Sequence, residues 1–159
     1  MGYAEQRDAL LVHAKAAALA ANAKFTNVQI GAPIPDGSPC ARLFWTGEAE
    51  PEHMGGNRVL NARLIAPTCA LVAFWALRST TPAAVKAIDD EMADFVHELR
   101  TRVLADSQLR VLADSQLGGA STDLEMGMAE PDFVVIEGTR YAVVEVGFTF
   151  DYLEYPLGA

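Results

Sequence analysis

Five carboxylates crowd one short stretch of the chain: Asp89, Asp90, Glu91, Asp94 and Glu98. Asp90 and Asp94 stand four residues apart, as do Asp94 and Glu98, so on a helix each pair shares a face. Such pairs can hold a divalent cation, but no Glu-x-x-His step accompanies them and no EF-hand spacing is present. The bland reading is a solvated acidic helix face. His13, His53 and His97 could each serve as a general base. None is matched by a serine or cysteine in a Gly-x-Ser-x-Gly elbow or a comparable frame. Gly55-Gly56 and Gly118-Gly119 lack the glycine spacing that cradles phosphates. Cys40 and Cys69 form no Cys-x-x-Cys or Cys/His cluster, which speaks against zinc, and free thiols are the expectation. The chemistry expected from these residues is therefore none: no catalytic, cofactor-binding or metal-binding residues and no enzyme.

The elements that would position these groups follow from hydropathy. Glu5 to Lys24 is rich in alanine, with Leu10, Leu11, His13, Ala14, Ala17 and Ala18 at helical spacing, and predicts a slim helix over 5–24. Strands are expected over about 25–31 and 41–46, separated by a proline-rich loop, Ala32 to Pro39. Gly47 to Asn57 reads as a polar loop. Arg58 to Ile65 alternates and predicts a half-buried strand over 58–65. Ala66-Pro67-Thr68 is expected to turn the chain into a further strand over about 69–77. That strand is apolar on both faces, as in one covered on two sides.

Thr81 and Pro82 form a helix start, N-cap then first turn. Val85, Ile88, Met92, Phe95, Leu99 and Val103 follow at three- and four-residue steps and predict a helix over about 82–105. Ala120 to Pro131 reads as a loop of mixed polarity, and strands are expected over about 132–136 and 141–154, joined by a tight turn at Glu137-Gly138-Thr139. Val144, Val146, Phe148, Phe150 and Tyr152 share one face of the last strand. It would span roughly 45 Å and outrun its hairpin partner. The fold class expected is α+β: a mixed, mainly antiparallel β-sheet covered by one long amphipathic helix plus an N-terminal helix, with a C-terminal β-hairpin. One domain over 1–159 accommodates all of it.

Within this frame lies an exact tandem copy: residues 102–109, RVLADSQL, recur as 110–117. Eight residues advance a helix about 80° beyond two turns, so one continuous helix would rotate its apolar stripe. A looped-out inserted copy is the simpler expectation.

The chain has 51% hydrophobic and 21% charged residues, a globular balance, and a formal net charge of -9. That charge argues against binding nucleic acid through phosphates. The N-terminus lacks a signal-peptide pattern, and the most apolar run, Ala66 to Leu77, is too short to span a bilayer.

Three runs carry a resemblance: EMADFVHELRTRVLADSQL (Glu91 to Leu109), GGASTDLEMGMAEPDF (Gly118 to Phe133) and TRYAVVEVGFTFDYLEYPL (Thr139 to Leu157). Together they resemble tail terminator proteins of long-tailed phages of actinobacterial hosts. The family pattern has a single LxDSQL leading into the Gly pair, so the second copy departs from it. The resemblance implies a structural virion protein that forms a homohexameric ring at the head-proximal end of the tail tube. Such a ring stops tube polymerisation and offers a surface to the head–tail connector, while DNA transits the lumen without sequence-specific binding. Its implied partners are further copies of itself, the tail tube protein and the connector protein. The implied location is the virion tail after synthesis in the host cytoplasm.

Residues expected at the subunit interface are Arg58, Arg63, Leu153, Tyr155, Pro156 and Leu157. Glu145, Asp151, Asp123 and Glu125, with the acidic loop Glu48–Glu52, are expected to face the lumen. Two alternatives stand beside this reading. One is another head–tail connector or tail tube component. The other is a small α+β ligand-binding protein or enzyme with a pocket lined by Trp45, Trp75 and Phe148, served by His53, Asp123 and Glu145.

Overall fold

A computed structural model describes residues 3–22, 24–49, 63–105, 125–149 and 152–154. Helix α1 spans Tyr3–Ala21 and α2 spans Pro82–Ala105. The strands are β1 (Val28–Ile30), β2 (Cys40–Ala49), β3 (Arg63–Ala76), β4 (Glu125–Met126), β5 (Glu130–Ile136), β6 (Thr139–Thr149) and β7 (Tyr152–Glu154). They form one sheet in the order β1-β2-β3-β6-β4, with β5 also paired to β6 and β7 to β3. Only β1 and β2 run parallel. The fold is therefore α+β, as the hydropathy pattern predicts.

Helix α1 stops before residue 24 because Asn22 caps it. The Asn22 side chain accepts from the Lys24 amide at 2.9 Å, and its carbonyl accepts from the Phe25 amide at 3.0 Å. Asparagine offers the backbone partners that a further turn would otherwise supply. Phe25 then leaves the expected strand and enters the core, where it is fully buried. This shortens β1 to three residues.

Strand β2 continues past the expected boundary at 46 and takes in Gly47. The register shifts between Trp45 and Gly47, and Gly47 has φ +109°. A glycine at a bulge lets the strand bend and go on. The expected turn at Ala66-Pro67-Thr68 is overturned: β3 is one continuous strand through Pro67. On one side Pro67 stands opposite Glu48 just past the bulge. On the other side it falls between Thr68, paired to Thr149, and Ile65, paired to Tyr152.

The long C-terminal strand outruns its hairpin partner as expected, and its distal part finds a partner within its own chain. Strand β7 continues β6 in unchanged register along β3, with Leu64 opposite Leu153 and Arg63 opposite Glu154. The hairpin partner β5 is shorter, as expected, and the distal part pairs with β3 because β3 is not broken. The hairpin itself forms as expected. Glu137 and Gly138 take positive φ, +49° and +81°, at a two-residue turn that closes Ile136 against Thr139. Two features had been given to a loop: β4, and the start of β5 at Glu130 rather than 132.

Helix α2 begins where expected. The Thr81 hydroxyl accepts from the Ala84 amide at 3.3 Å, and its carbonyl accepts from the Val85 amide at 3.0 Å. The predicted stripe faces the sheet: Met92, Phe95 and Leu99 are buried and Ile88 partly so. Val96, which the stripe omitted, is buried too. Leu11, Ala14, Ala17 and Ala18 bring α1 into the same cluster, beside Leu71, Trp75, Val144, Val146 and Phe148. At its centre Phe25 stacks on Phe95 with ring centroids 4.5 Å apart, and Trp75 meets both rings edge-on at 5.2 and 5.9 Å.

A smaller cluster occupies the opposite face of the sheet: Cys40, Val72, Phe74 and Val143, flanked by Phe44, Val134, Ile136 and Tyr141. This accounts for β3 being apolar on both faces. It also separates the thiols, since Cys69 lies on the helix face and Cys40 on the other. Both are free and buried.

Burial pushes the Cys69 thiol from its ordinary 9.0 up to about 11 and raises that of Cys40 as well. Both should resist a thiol-specific disulfide reagent at pH 8 in the native state and react once the protein is unfolded in urea. A raised folded-state value leaves the neutral-thiol contribution intact below about pH 9. That contribution is then lost as pH rises through about 11, so stability should fall on the alkaline side. Rapid native-state labelling at pH 8, or stability constant from pH 8 to 11, would contradict this burial.

Candidate functional site

The acidic helix divides once its partners are placed. Asp90 pairs with Lys86 at 2.9 Å, and Glu98 lies 3.8 Å from Arg102, both across one helical turn. Glu91 does something else. Its carboxylate accepts from Trp75 Nε1 at 3.2 Å and from Lys24 Nζ at 2.6 Å. It thereby links the end of α1, helix α2 and β3, and gives the buried indole N–H its partner. Asp89, Asp94 and His97 are exposed on α2. Among the described residues no group of three or more His, Cys, Asp or Glu side chains gathers to hold a metal ion. His53, Asp123, Asp151, Arg58, Tyr155, Pro156 and Leu157 lie outside the described residues.

Trp45, Trp75 and Phe148, expected to line a pocket, do not line the groove on the helix-free face of the sheet. Strand parity puts all three on the helix face, where α1 and α2 fill the space. Trp75 and Phe148 are core residues, whereas Trp45 remains 46% exposed at the sheet margin. There the Arg7 guanidinium lies 5.4 Å from its ring centroid, a cation–π arrangement.

A cavity among the described residues lies on the other face. It is an open groove of about 470 Å³, and neither helix covers it. Phe44 from β2, Val72 and Phe74 from β3, Val143 from β6 and Val134 from β5 supply an apolar floor, and Pro33 forms part of one wall. Glu130, Asp132 and Glu145 line it as well. Glu130 and Glu145 are direct cross-strand partners, and Asp132 stands opposite Val143. All three carboxylates are exposed.

Arg42 shares this face, on a row that runs Arg42, Val72, Glu145 and Glu130 across four strands. Its charge is already committed. Its guanidinium donates to the Ala41 carbonyl at 2.8 Å and to Asn27 Oδ1 at 3.2 Å, with the Asp36 carboxylate 4.0 Å away. The Asn27 amide in turn donates to the Asp36 carbonyl. This clamp holds the 31–39 loop over one end of the sheet face.

A second surface lies along β5. Its outer edge has no partner strand among the described residues. Phe133 and Val135 are 57% and 66% exposed, and nearby Met128 is 87% exposed.

Of the sites expected from sequence, Glu145 is brought into the groove. Glu48 is exposed at the end of β2. Arg63, Leu153 and Glu125 are placed on β3, β7 and β4. The partners of Glu145, namely Glu130 and Asp132, were missed. Neither described helix is long and apolar enough to cross a membrane. No protein-family model matches the chain, and a search of curated proteins finds no match.

Proposed function

We propose that the chain is a structural virion protein: a tail terminator that assembles into a homohexameric ring on the head-proximal end of a long phage tail. The observation that carries this reading is the one-sided sheet. Two helices pack on one face, and the other carries an open groove with carboxylates at its margin. A sheet face left open in this way is a surface for another molecule. The β5 edge, which has no partner strand among the described residues and leaves Phe133 and Val135 exposed, supports assembly too, because such edges seek partners. The resemblance of Glu91 to Leu109, Gly118 to Phe133 and Thr139 to Leu157 supplies the identity of the assembly.

The in-chain pairing of β7 constrains how a ring would close. The edge of β7 that faces β3 is occupied, so a neighbour would meet its other edge, the residues beyond it, or β5. Closed rings repeat one such head-to-tail contact. The proposed partners are the tail tube protein and the head–tail connector. A net charge of -9 suits a conduit that DNA passes without adhering.

The test is a mass measurement by light scattering, alone and with purified tail tubes of a long-tailed actinobacteriophage, followed by electron microscopy. The expected result is a particle of six 17.1 kDa subunits that caps one end of the tubes. A particle that remains monomeric with tubes and leaves both tube ends bare overturns the reading.

A further inference from the structure

We infer that the groove on the helix-free face is a docking site for an extended segment of another protein that alternates lysine or arginine with apolar side chains. The inference stands on the groove alone and does not depend on the ring reading.

Its first support is geometric. The floor is built from side chains two residues apart on neighbouring strands: Val72 and Phe74 on β3, Val143 on β6, Val134 on β5. Same-face side chains along a strand recur about every 6.6–7 Å, which is also the same-face repeat of an extended peptide. Such a peptide lays one set of side chains on this floor and turns the alternate set toward the rim.

Its second support is charge. Glu130 and Glu145 face each other across the β5–β6 pair, and like charges in that position are mutually destabilising. Asp132 stands two residues along the same face of β5. No described cation answers these carboxylates. The described ion pairs use Arg7, Lys24, Arg42, Lys86 and Arg102, each with a different acid. Arg42, on the same row, is turned to Asn27 and the Ala41 carbonyl. A cationic side chain from outside would relieve the Glu130–Glu145 repulsion and gain two partners at once. Apolar floor and acidic rim together require both features in the occupant, which a bare metal ion lacks. A second copy of this chain is a poor match, since it carries 21 acidic against 12 basic residues. The occupant is therefore a different, cationic protein segment, and Glu145 belongs to a protein contact rather than to a bare channel wall.

The test uses the isotope-labelled full chain and a synthetic capped heptapeptide of alternating lysine and valine, with a glutamate-for-lysine version as control. Titration should give saturable NMR shifts at Val72, Phe74, Val134 and Val143, weakened by added salt and absent with the glutamate peptide. Glu130→Gln with Glu145→Gln should keep the fold, because both side chains are exposed, and should weaken binding by at least about fivefold. The inference is overturned by the absence of saturable shifts in the groove at millimolar peptide. It is equally overturned if the double variant binds with unchanged affinity, or if the shifts centre on Met128 and Phe133. Groove shifts that depend on protein concentration without peptide would make a second copy the occupant, and that too overturns it.

Discussion

Phe95→Ala is expected to lower the free energy of unfolding by about 3–5 kcal/mol. The ring is 1% exposed and lies where α2, the segment after α1 and β3 meet. It comes from α2, stacks on Phe25 from the segment after α1, and meets the edge of Trp75 from β3. Truncation removes the transfer energy of the ring and leaves a void lined by two aromatic rings. How far that void closes sets where in the range the loss falls. Phe25 sits in a loop and not in a strand, so it is the neighbour best able to shift inward. Trp75 is held by the β-ladder and by its hydrogen bond to Glu91. Urea unfolding monitored by tryptophan fluorescence measures the change, with the midpoint falling and the slope unchanged. A loss below about 1 kcal/mol would mean that α2 packs loosely on the sheet. Phe25→Leu should cost less than Phe95→Ala, because leucine retains most of the buried volume.

That packing was legible in the sequence because it rests on period. The stripe from Val85 to Leu99 repeats at helical spacing, and alternation on β6 separates Val144, Val146 and Phe148 from Val143 and Glu145. Both patterns survive folding unchanged. What was not legible depends on pairing partners far along the chain. Pro67 reads as a breaker until Glu48, Thr149 and Tyr152 are known to flank it. The C-terminal strand reads as unpaired until β3 is known to run unbroken for 14 residues. The groove was hidden for the same reason. Glu130 falls in a segment of mixed polarity that reads as loop, so nothing in the sequence sets it opposite Glu145. Trp45, Trp75 and Phe148 share the face that the helices cover, and there Trp75 and Phe148 are buried in the core. Glu91 was grouped with a solvated acidic face because its neighbours Asp89 and Asp90 are charged. Its indole partner lies 16 residues earlier, on a strand.

Arg42→Ala is expected to cost about 2–4 kcal/mol, while Asp36→Asn should cost less than about 1 kcal/mol. The two numbers decide what the buried guanidinium is for. Arg42 is 5% exposed, the only buried charged residue among the described residues. Its sole described ion-pair partner, the Asp36 carboxylate, lies 4.0 Å away with a side chain 83% exposed. Water screens such a pair, so the carboxylate contributes little. The neutral contacts are closer: the Ala41 carbonyl at 2.8 Å and Asn27 Oδ1 at 3.2 Å. Through Asn27 they reach the Asp36 carbonyl and fasten the 31–39 loop across the sheet. Alanine removes those bonds and the packing of the methylene stem together. Arg42→Met separates the two contributions. It keeps the stem volume but removes the hydrogen bonds to the Ala41 carbonyl and Asn27, so it should cost about 1–2 kcal/mol in urea unfolding, less than Arg42→Ala. Should Asp36→Asn cost as much as Arg42→Ala, the ion pair and not the buried hydrogen bonds would hold the loop. Should Arg42→Met cost as much as Arg42→Ala, the guanidinium contacts would outweigh the packing of its stem.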